Sequence, residues 1–316
     1  MISDRQFLFI IGSLKSGTTW LQIMLSAHPQ LCTTVEQTLF DKYIPSWFDI
    51  WQKETKNITE KGYNKGLPFL WTNDDFMDFL REFLDKVYAK VSINHPNASH
   101  ILDKNPMYSF SVELIHELLP NARFIHLIRD GRDVAVSMLA ARRNIGYGPS
   151  SFINSVVTWN KYVLAARHAK SYENQYLEIR YEDLLNNGIL TLQTIFDFCQ
   201  LPISSEEIEK IVSEHTFKKM KSKRQHADVR AKTHKAFYRK GQAGSWREEL
   251  TPTQMYQFNK ISGDLLLDLG YDRDGWWATS KIKRLIVPLM GEIPLKTYFM
   301  KKSIYPQAKK LMKAIS

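Results

Sequence analysis

The first thirty residues constrain this chain more than any other stretch. Phe7-Leu8-Phe9-Ile10-Ile11 is an unbroken apolar run that stops at Gly12. A run without polar alternation predicts a strand buried on both faces, the kind found inside a parallel sheet covered by helices. After Gly12-Ser13-Leu14-Lys15-Ser16-Gly17, apolar residues recur at helical spacing at Trp20, Leu21, Met24 and Leu25. His28-Pro29 then ends the helix, because a residue before proline avoids the helical region. Strand, glycine-bounded loop and helix N-terminus together make an anion cradle. Unpaired backbone N–H groups and the positive end of the helix dipole converge there, and glycine lets the backbone come close.

The rest of the chain repeats the strand–helix theme. Strands are predicted at Ile101-Leu102, Phe124–Ile128 and Tyr176–Ile179, and helices over 74–91, 109–119, 133–142, 151–170 and 181–199. Asn73 or Asp74 is the expected cap of the 74–91 helix. Residues 53–66 are polar and turn-rich and predict an excursion from the core. This alternation predicts an α/β fold, a three-layer α/β/α arrangement with a central parallel sheet. With no internal repeat and no linker, residues 1–280 are expected to form one domain, followed by a tail at 281–316. An aromatic content of 12% excludes a disordered chain. The two cysteines, Cys32 and Cys199, are expected as reduced thiols. With no apolar stretch of about 20 residues and no leader pattern, a cytoplasmic location is expected.

The loop resembles the nucleotide-binding pattern G-x-x-x-x-G-K-[ST] in spacing, since Gly12 and Gly17 fit it. Thr18, however, stands where the lysine should follow, and the lysine, Lys15, precedes the second glycine. The strand at 124–128 runs into Arg129-Asp130 rather than directly into a magnesium-holding acid. Both departures argue against Mg-ATP chemistry. A P-loop kinase therefore stays only as an alternative.

Lys15-Ser16-Gly17-Thr18-Thr19-Trp20 resembles the 5′-phosphosulfate loop of sulfotransferases that use 3′-phosphoadenosine-5′-phosphosulfate (PAPS). Three further segments follow in that family's order. Arg129-Asp-Gly-Arg-Asp-Val-Ala-Val-Ser137 is similar to its 3′-phosphate element. Arg180-Tyr181-Glu182-Asp183-Leu184 is similar to the segment whose tyrosine faces adenine, and Arg239-Lys240-Gly241-Gln-Ala-Gly244-Ser-Trp246 to its R-K-G-x-x-G-x-W cofactor loop. The resemblance spans about residues 5–275. It implies a P-loop-like strand–loop–helix that binds PAPS and releases 3′-phosphoadenosine-5′-phosphate (PAP), with no metal. The residues it implicates are Lys15, Ser16, Gly17, Thr18, Thr19, Trp20, Arg129, Ser137, Tyr181, Phe217, Arg239, Lys240 and Gly241.

Sulfuryl transfer needs a base for the acceptor hydroxyl, positive charge on the departing oxygen, and in-line approach. The resemblance gives Lys15 the charge role. Cytosolic small-molecule members of the family carry a K-T-H segment whose histidine is the base. Here Leu102-Asp103-Lys104-Asn105-Pro106 keeps the lysine and lacks the histidine. That moves the resemblance toward the tyrosylprotein and heparan-type branches, which use a glutamate after the first helix, and that glutamate corresponds to Glu36. Asn144-Ile145-Gly146-Tyr147 and Thr158-Trp159-Asn160 also resemble the tyrosylprotein branch. Lys104 becomes a second cation. His28 reads as a capping residue and His126 as a core histidine.

The acceptor is less legible. Phe40, Tyr43, Trp47, Phe48, Trp51, Tyr63, Phe69 and Trp71 crowd residues 38–75 and suggest a wall for a small-molecule, lipid or polyketide hydroxyl. A protein tyrosine or a polysaccharide is the alternative. Net charge is +10, and residues 218–240 hold ten Lys/Arg against Asp228, while residues 281–316 hold nine against Glu292. These segments suit an anionic surface, and a membrane-binding module is a further alternative function. No nucleic-acid partner is expected. In the tail, Pro288, Pro294 and Pro306 are expected to interrupt any long helix, leaving short apolar patches that either pack on the domain or rest on a membrane.

Overall fold

The computed structural model describes residues 5–33, 36–216, 219, 241–272 and 286–302. They form two compact units, residues 1–129 with 162–226, and residues 130–161 with 227–316.

The first unit is built on the apolar run. β1 (Gln6–Gly12) lies inside a five-stranded sheet with β2 (Leu31–Thr33), β3 (His100–Lys104), β4 (Arg123–Ile128) and β5 (Tyr176–Arg180). The strand order is β2-β3-β1-β4-β5, and every pairing is parallel. β1 thus has β3 on one side and β4 on the other, so the chain departs in opposite directions around its C-terminal end. Ligands of open parallel sheets bind at such a point.

Side chains alternate along β1, and both sets are buried. Phe7, Phe9 and Ile11 meet Leu80, Leu84 and Tyr88 of α3 (Asn73–Val91) and Ile115 of α4 (Val112–Leu118). Leu8 and Ile10 meet Leu21 and Met24 of α1 (Thr18–Leu25), Ile195 and Phe196 of α8 (Gly188–Cys199), and Ile208 of α9 (Ser205–Glu214). Helices therefore cover both faces, and the three-layer α/β/α expectation holds. Cys32 and Cys199 are buried free thiols, and burial pushes the Cys199 thiol up to about 12.

Several local expectations change. Residues 53–61 are not an excursion but the second half of α2 (Ile44–Lys61), which ends on Gly62 at φ 66°. Only Ile44 and Trp51 of that helix are buried, so its outer half carries no apolar periodicity to read. The cap of α3 is Thr72, which shares a reciprocal capping box with Asp75. β2, three residues long, is too short to leave a pattern.

The second unit contains α5 (Gly131–Ile145), residues 152–161 of α6 (Phe152–Ala166), and the helices Trp246–Glu249 and Pro252–Asp268. Trp159 is fully buried there, 5.6 Å from Phe258 ring to ring. A Cβ on Gly131 would stand 2.5 Å from the Trp159 ring, so glycine is needed at that helix start. Asn160 Nδ2 donates to Ser262 Oγ at 3.0 Å. The Thr158-Trp159-Asn160 segment is thus packing material in this fold.

The tail departs most from expectation. Residues 286–302 are one helix that runs through both Pro288 and Pro294. Pro294 removes the N–H that would bond the Met290 carbonyl and its ring crowds that carbonyl, but Met290 lies on an exposed turn where water can reach the freed oxygen. Packing supplies the rest. Val287 and Leu295 join Ile153 and Tyr256 in an apolar cluster, and the Tyr256 hydroxyl donates to Glu292 at 2.7 Å. Pro306 lies outside the described residues.

Candidate active site

The loop from β1 to α1 has the backbone of an anion cradle. Gly12 lies at φ 144°, Lys15 at φ 68° and Gly17, which caps α1, at φ 105°. A left-handed lysine is uncommon, and such residues concentrate at binding sites. Glycine is required at two of the three positions. A Cβ on Gly12 would be 2.5 Å from the Leu127 carbonyl, and one on Gly17 would be 2.7 Å from the Tyr181 ring. Ser16 Oγ donates to the Ser13 carbonyl at 2.6 Å, and Ser109 Oγ accepts from Gly12 N–H at 3.0 Å. These bonds hold the loop without using the N–H groups at the start of α1.

Three implicated residues meet at that helix start. Lys104, at the end of β3, is 2% exposed, pairs with the Glu36 carboxylate and donates to Thr19 Oγ1 at 3.1 Å. Strand alternation explains its aim: Leu102 and Lys104 face the α1 side, while Ile101 and Asp103 face α3. Glu36 is half exposed, so a carboxylate and a buried ammonium flank the cradle with one side open to a reactant.

Arg129, just past β4, is 8% exposed, and its guanidinium lies 4.3 Å over the Tyr181 ring, within reach of the Lys15 carbonyl. Tyr181 begins α7 (Tyr181–Asn186) directly after β5. Cradle, arginine and tyrosine thus come from the C-terminal ends of β1, β4 and β5. Trp20 is built into the core: its indole N–H donates to the His215 carbonyl at 2.8 Å, and its ring meets the Tyr181 edge. Thr18 and Ser16 are buried in the same turn.

The two histidines set aside from base duty are accounted for. His28 joins the Pro202 carbonyl to Gln30 N–H, as a capping residue does. His126 is fully buried, with Nδ1 2.7 Å from the Tyr176 hydroxyl, and that hydroxyl donates to Glu178 at 2.8 Å. The tyrosine must then accept from His126 Nδ1–H, and burial lowers this imidazole to about 3.

In the second unit, Ser137 is buried on α5. The acids around it serve the fold. Asp130 binds Arg132 with both oxygens, and Arg132 lies 3.8 Å over the Trp246 ring. Asp133 accepts from Gly244 N–H at 2.7 Å, Ser245 Oγ at 2.9 Å and Trp246 N–H at 2.9 Å. The sequence reading assigns no cofactor or catalytic role to Asp133 or Arg132, although both lie inside a motif it picks out. They join the start of α5 to Gly244, Ser245 and Trp246 of the cofactor-loop motif. Phe217, Arg239 and Lys240 lie outside the described residues.

The aromatic residues at 38–75 divide. Phe40 and Trp51 are core, with Trp51 stacked on Phe76 at 4.4 Å. Tyr43, Trp47, Phe79 and Trp71 form a ladder of ring contacts 5.8–6.3 Å apart, and Tyr43 and Phe79 are exposed.

Comparison with known proteins bears on the fold and the family. Residues 8–205 match the sequence model described as "Sulfotransferase family". Protein-tyrosine sulfotransferase 1 of Danio rerio is 26% identical over 206 residues, 63% of this chain and 54% of that protein. Protein-tyrosine sulfotransferase A of Caenorhabditis elegans is 26% identical over 200 residues, 62% of this chain and 50% of that protein. The chain spans about half the length of these relatives. Among solved structures, the sulfotransferase domain from the curacin biosynthetic pathway has a TM-score of 0.54 at 18% identity, covering 85% of this chain and 98% of that one. A mouse sulfotransferase complexed with PAP has a TM-score of 0.52 at 18% identity, covering 92% of this chain and 89% of that one. The fold is shared with these structures, and the chain belongs to the sulfotransferase family.

Proposed function

We propose that the protein transfers the sulfuryl group of PAPS to an acceptor hydroxyl, with Glu36 as base and Lys15 and Lys104 as transition-state cations. The observation that carries this reading is the Glu36–Lys104–Thr19 cluster at the mouth of the cradle. The acceptor oxygen attacks sulfur, the sulfur–oxygen bond to the phosphate breaks, and the hydroxyl proton passes to the Glu36 carboxylate. Lys104, buried and already bonded to Thr19, is fixed before reaction, which is what makes a charge effective in a transition state. Arg129 is the planar fork proposed for the cofactor's 3′-phosphate. Ser137, Phe217, Arg239, Lys240 and Gly241 keep the cofactor roles that their motifs imply. PAP at a hundred times its dissociation constant should raise stability by about 2.7 kcal/mol without magnesium, and ATP by much less. Equal thermal shifts from the two nucleotides would overturn the 3′-phosphate assignment.

For the acceptor, the relatives' names favour a tyrosine phenol, and the ladder of Tyr43, Trp47, Phe79 and Trp71, exposed at Tyr43 and Phe79, is compatible with any flat hydrophobic acceptor. Radiolabelled transfer from PAPS to an acidic tyrosine peptide, set beside transfer to a small phenol and a lipid alcohol, separates them. Transfer to the peptide alone selects the tyrosine reading, and transfer only to the others rejects it.

Membrane contact is proposed for one helix face. Among the described residues no helix is long and apolar enough to cross a membrane. Helical residues 286–302 instead bury Val287 and Leu295 and expose Ile286, Leu289, Met290, Ile293 and Met300 on the opposite side, flanked by Lys296 and Lys301. An exposed apolar stripe edged by lysines is the pattern of a helix lying on an anionic bilayer. Flotation with phosphatidylserine vesicles should recover the protein at low salt, and exchanging Lys296 and Lys301 for alanine should weaken binding by about fivefold each. Identical flotation with neutral vesicles would rule it out.

A further inference from the structure

Beside Lys104, on the other side of the strand, Asp103 is buried, 1% exposed. Its Oδ2 receives the Tyr88 hydroxyl at 2.8 Å and stands 3.3 Å from the Tyr108 hydroxyl. Its Oδ1 has no hydrogen-bond partner among the described residues. A buried acid with an unmet oxygen is costly, and folds retain such groups for a reason.

The reason lies across Tyr108. Its hydroxyl is 2.9 Å from the Gln37 carbonyl and accepts from Leu39 N–H at 3.3 Å. Asn105 Nδ2 donates to the same Gln37 carbonyl at 2.8 Å. Gln37 directly follows Glu36. The tyrosine therefore grips the backbone immediately after Glu36 at two points, while its other neighbour is a buried carboxyl. It has one hydrogen to give, and Gln37 and Asp103 compete for it.

We propose that Asp103 and Tyr108 are positioning residues that fix the segment carrying Glu36, and that the ionisation of Asp103 sets how tightly they hold it. Burial raises the Asp103 carboxyl to about 6, against the hydrogen bonds from Tyr88, the strand backbone and Tyr108 and the charge of Lys104. These are the titratable groups facing it, with Asp41 beyond Tyr108. Neutral Asp103 leaves the Tyr108 hydrogen to Gln37. Ionised Asp103 draws it away, because a charge-assisted bond is about twice as strong as a neutral one. The hold on Gln37 then passes to Asn105, and the segment loosens. The catalytic consequence rests on Glu36 being the base, but the tether itself does not.

Amide hydrogen exchange reads the tether directly. Tyr108→Phe keeps the ring that packs on Phe9 and Phe40 and removes the oxygen that accepts from Leu39. Exchange at Leu39 should quicken about tenfold, the scale of one net hydrogen bond. In the wild type, Leu39 protection corrected for intrinsic rate should fall as pH rises through about 6, where Asp103 ionises, and Asp103→Asn should abolish the fall. Protection that is level or rising across that range in the wild type would overturn the role of ionisation. Tyr88→Phe, which touches neither backbone group, should leave Leu39 protected. Turnover in Tyr108→Phe should fall about ten- to a hundredfold with PAP affinity unchanged, the cost of a misplaced catalytic group. Unchanged Leu39 exchange in Tyr108→Phe would overturn the tether, and faster exchange with full turnover would overturn its catalytic part. If Glu36→Gln keeps turnover, the base assignment fails while the exchange result still stands.

Discussion

Glu36→Gln should leave PAP affinity within about twofold of wild type and lower sulfuryl transfer by about a hundredfold or more, the scale for a lost general base. The substitution keeps the side chain's size and takes away its negative charge together with its ability to accept a proton. The carboxylate is half exposed and lies against Lys104, so the glutamine amide can still accept a hydrogen bond from the ammonium. Lys104 also keeps its bond to Thr19. A loss confined to turnover would therefore report the proton transfer. Lys104→Ala should differ in kind, because it removes a charge that both reactant and transition state feel. It should lower turnover and also disturb the loop through Thr19. If Glu36→Gln retains more than about a tenth of turnover, the base lies elsewhere, since general bases contribute at least 10²-fold. His28 and His126 are poor replacements, being occupied by the Pro202 carbonyl and by Tyr176.

Legibility followed burial. β1 was readable because both of its faces are covered, leaving five consecutive apolar residues from Phe7 to Ile11. The glycines of the cradle were readable because Gly12 and Gly17 meet a carbonyl and a ring where no side chain fits. Residues 53–61 hid their helix, since the buried residues of α2 all lie in its first half and its second half carries a single apolar residue, Ile58. The tail helix hid behind prolines, whose local cost is outweighed by anchoring on Ile153 and Tyr256. At the site, Lys104 was found through its motif. Asp103 and Tyr108 were not, because their meaning lies in a long-range contact with Gln37 that no spacing encodes. The K-G-x-x-G-x-W loop was likewise found as a cofactor motif, whereas its anchor on Asp133 needed the fold.

That anchor carries the other large expected effect. Asp133 is fully buried, and its two oxygens take two backbone N–H groups and one hydroxyl from Gly244, Ser245 and Trp246. Asp133→Ala would strand the Ser245 and Trp246 donors in the interior and leave the half-buried Gly244 N–H without this acceptor. Stranding a buried donor costs about 1–3 kcal/mol each, so a total loss of about 3–5 kcal/mol is expected after partial relaxation. Asp133→Asn should recover only part of this. Its single carbonyl oxygen can serve the Ser245 and Trp246 donors, but its NH₂ would then face Gly244 N–H, donor against donor. Urea denaturation should rank the proteins wild type, Asn, Ala. Gly244 lies at φ 78°, a conformation that needs support from its neighbours, so releasing it should also free residues 241–244 of the cofactor loop. PAP binding should then weaken in Asp133→Asn, although Asp133 is not assigned to the cofactor. An alanine variant within about 1 kcal/mol of wild type would mean that water replaces the carboxylate, and that Trp246 packing alone holds the loop.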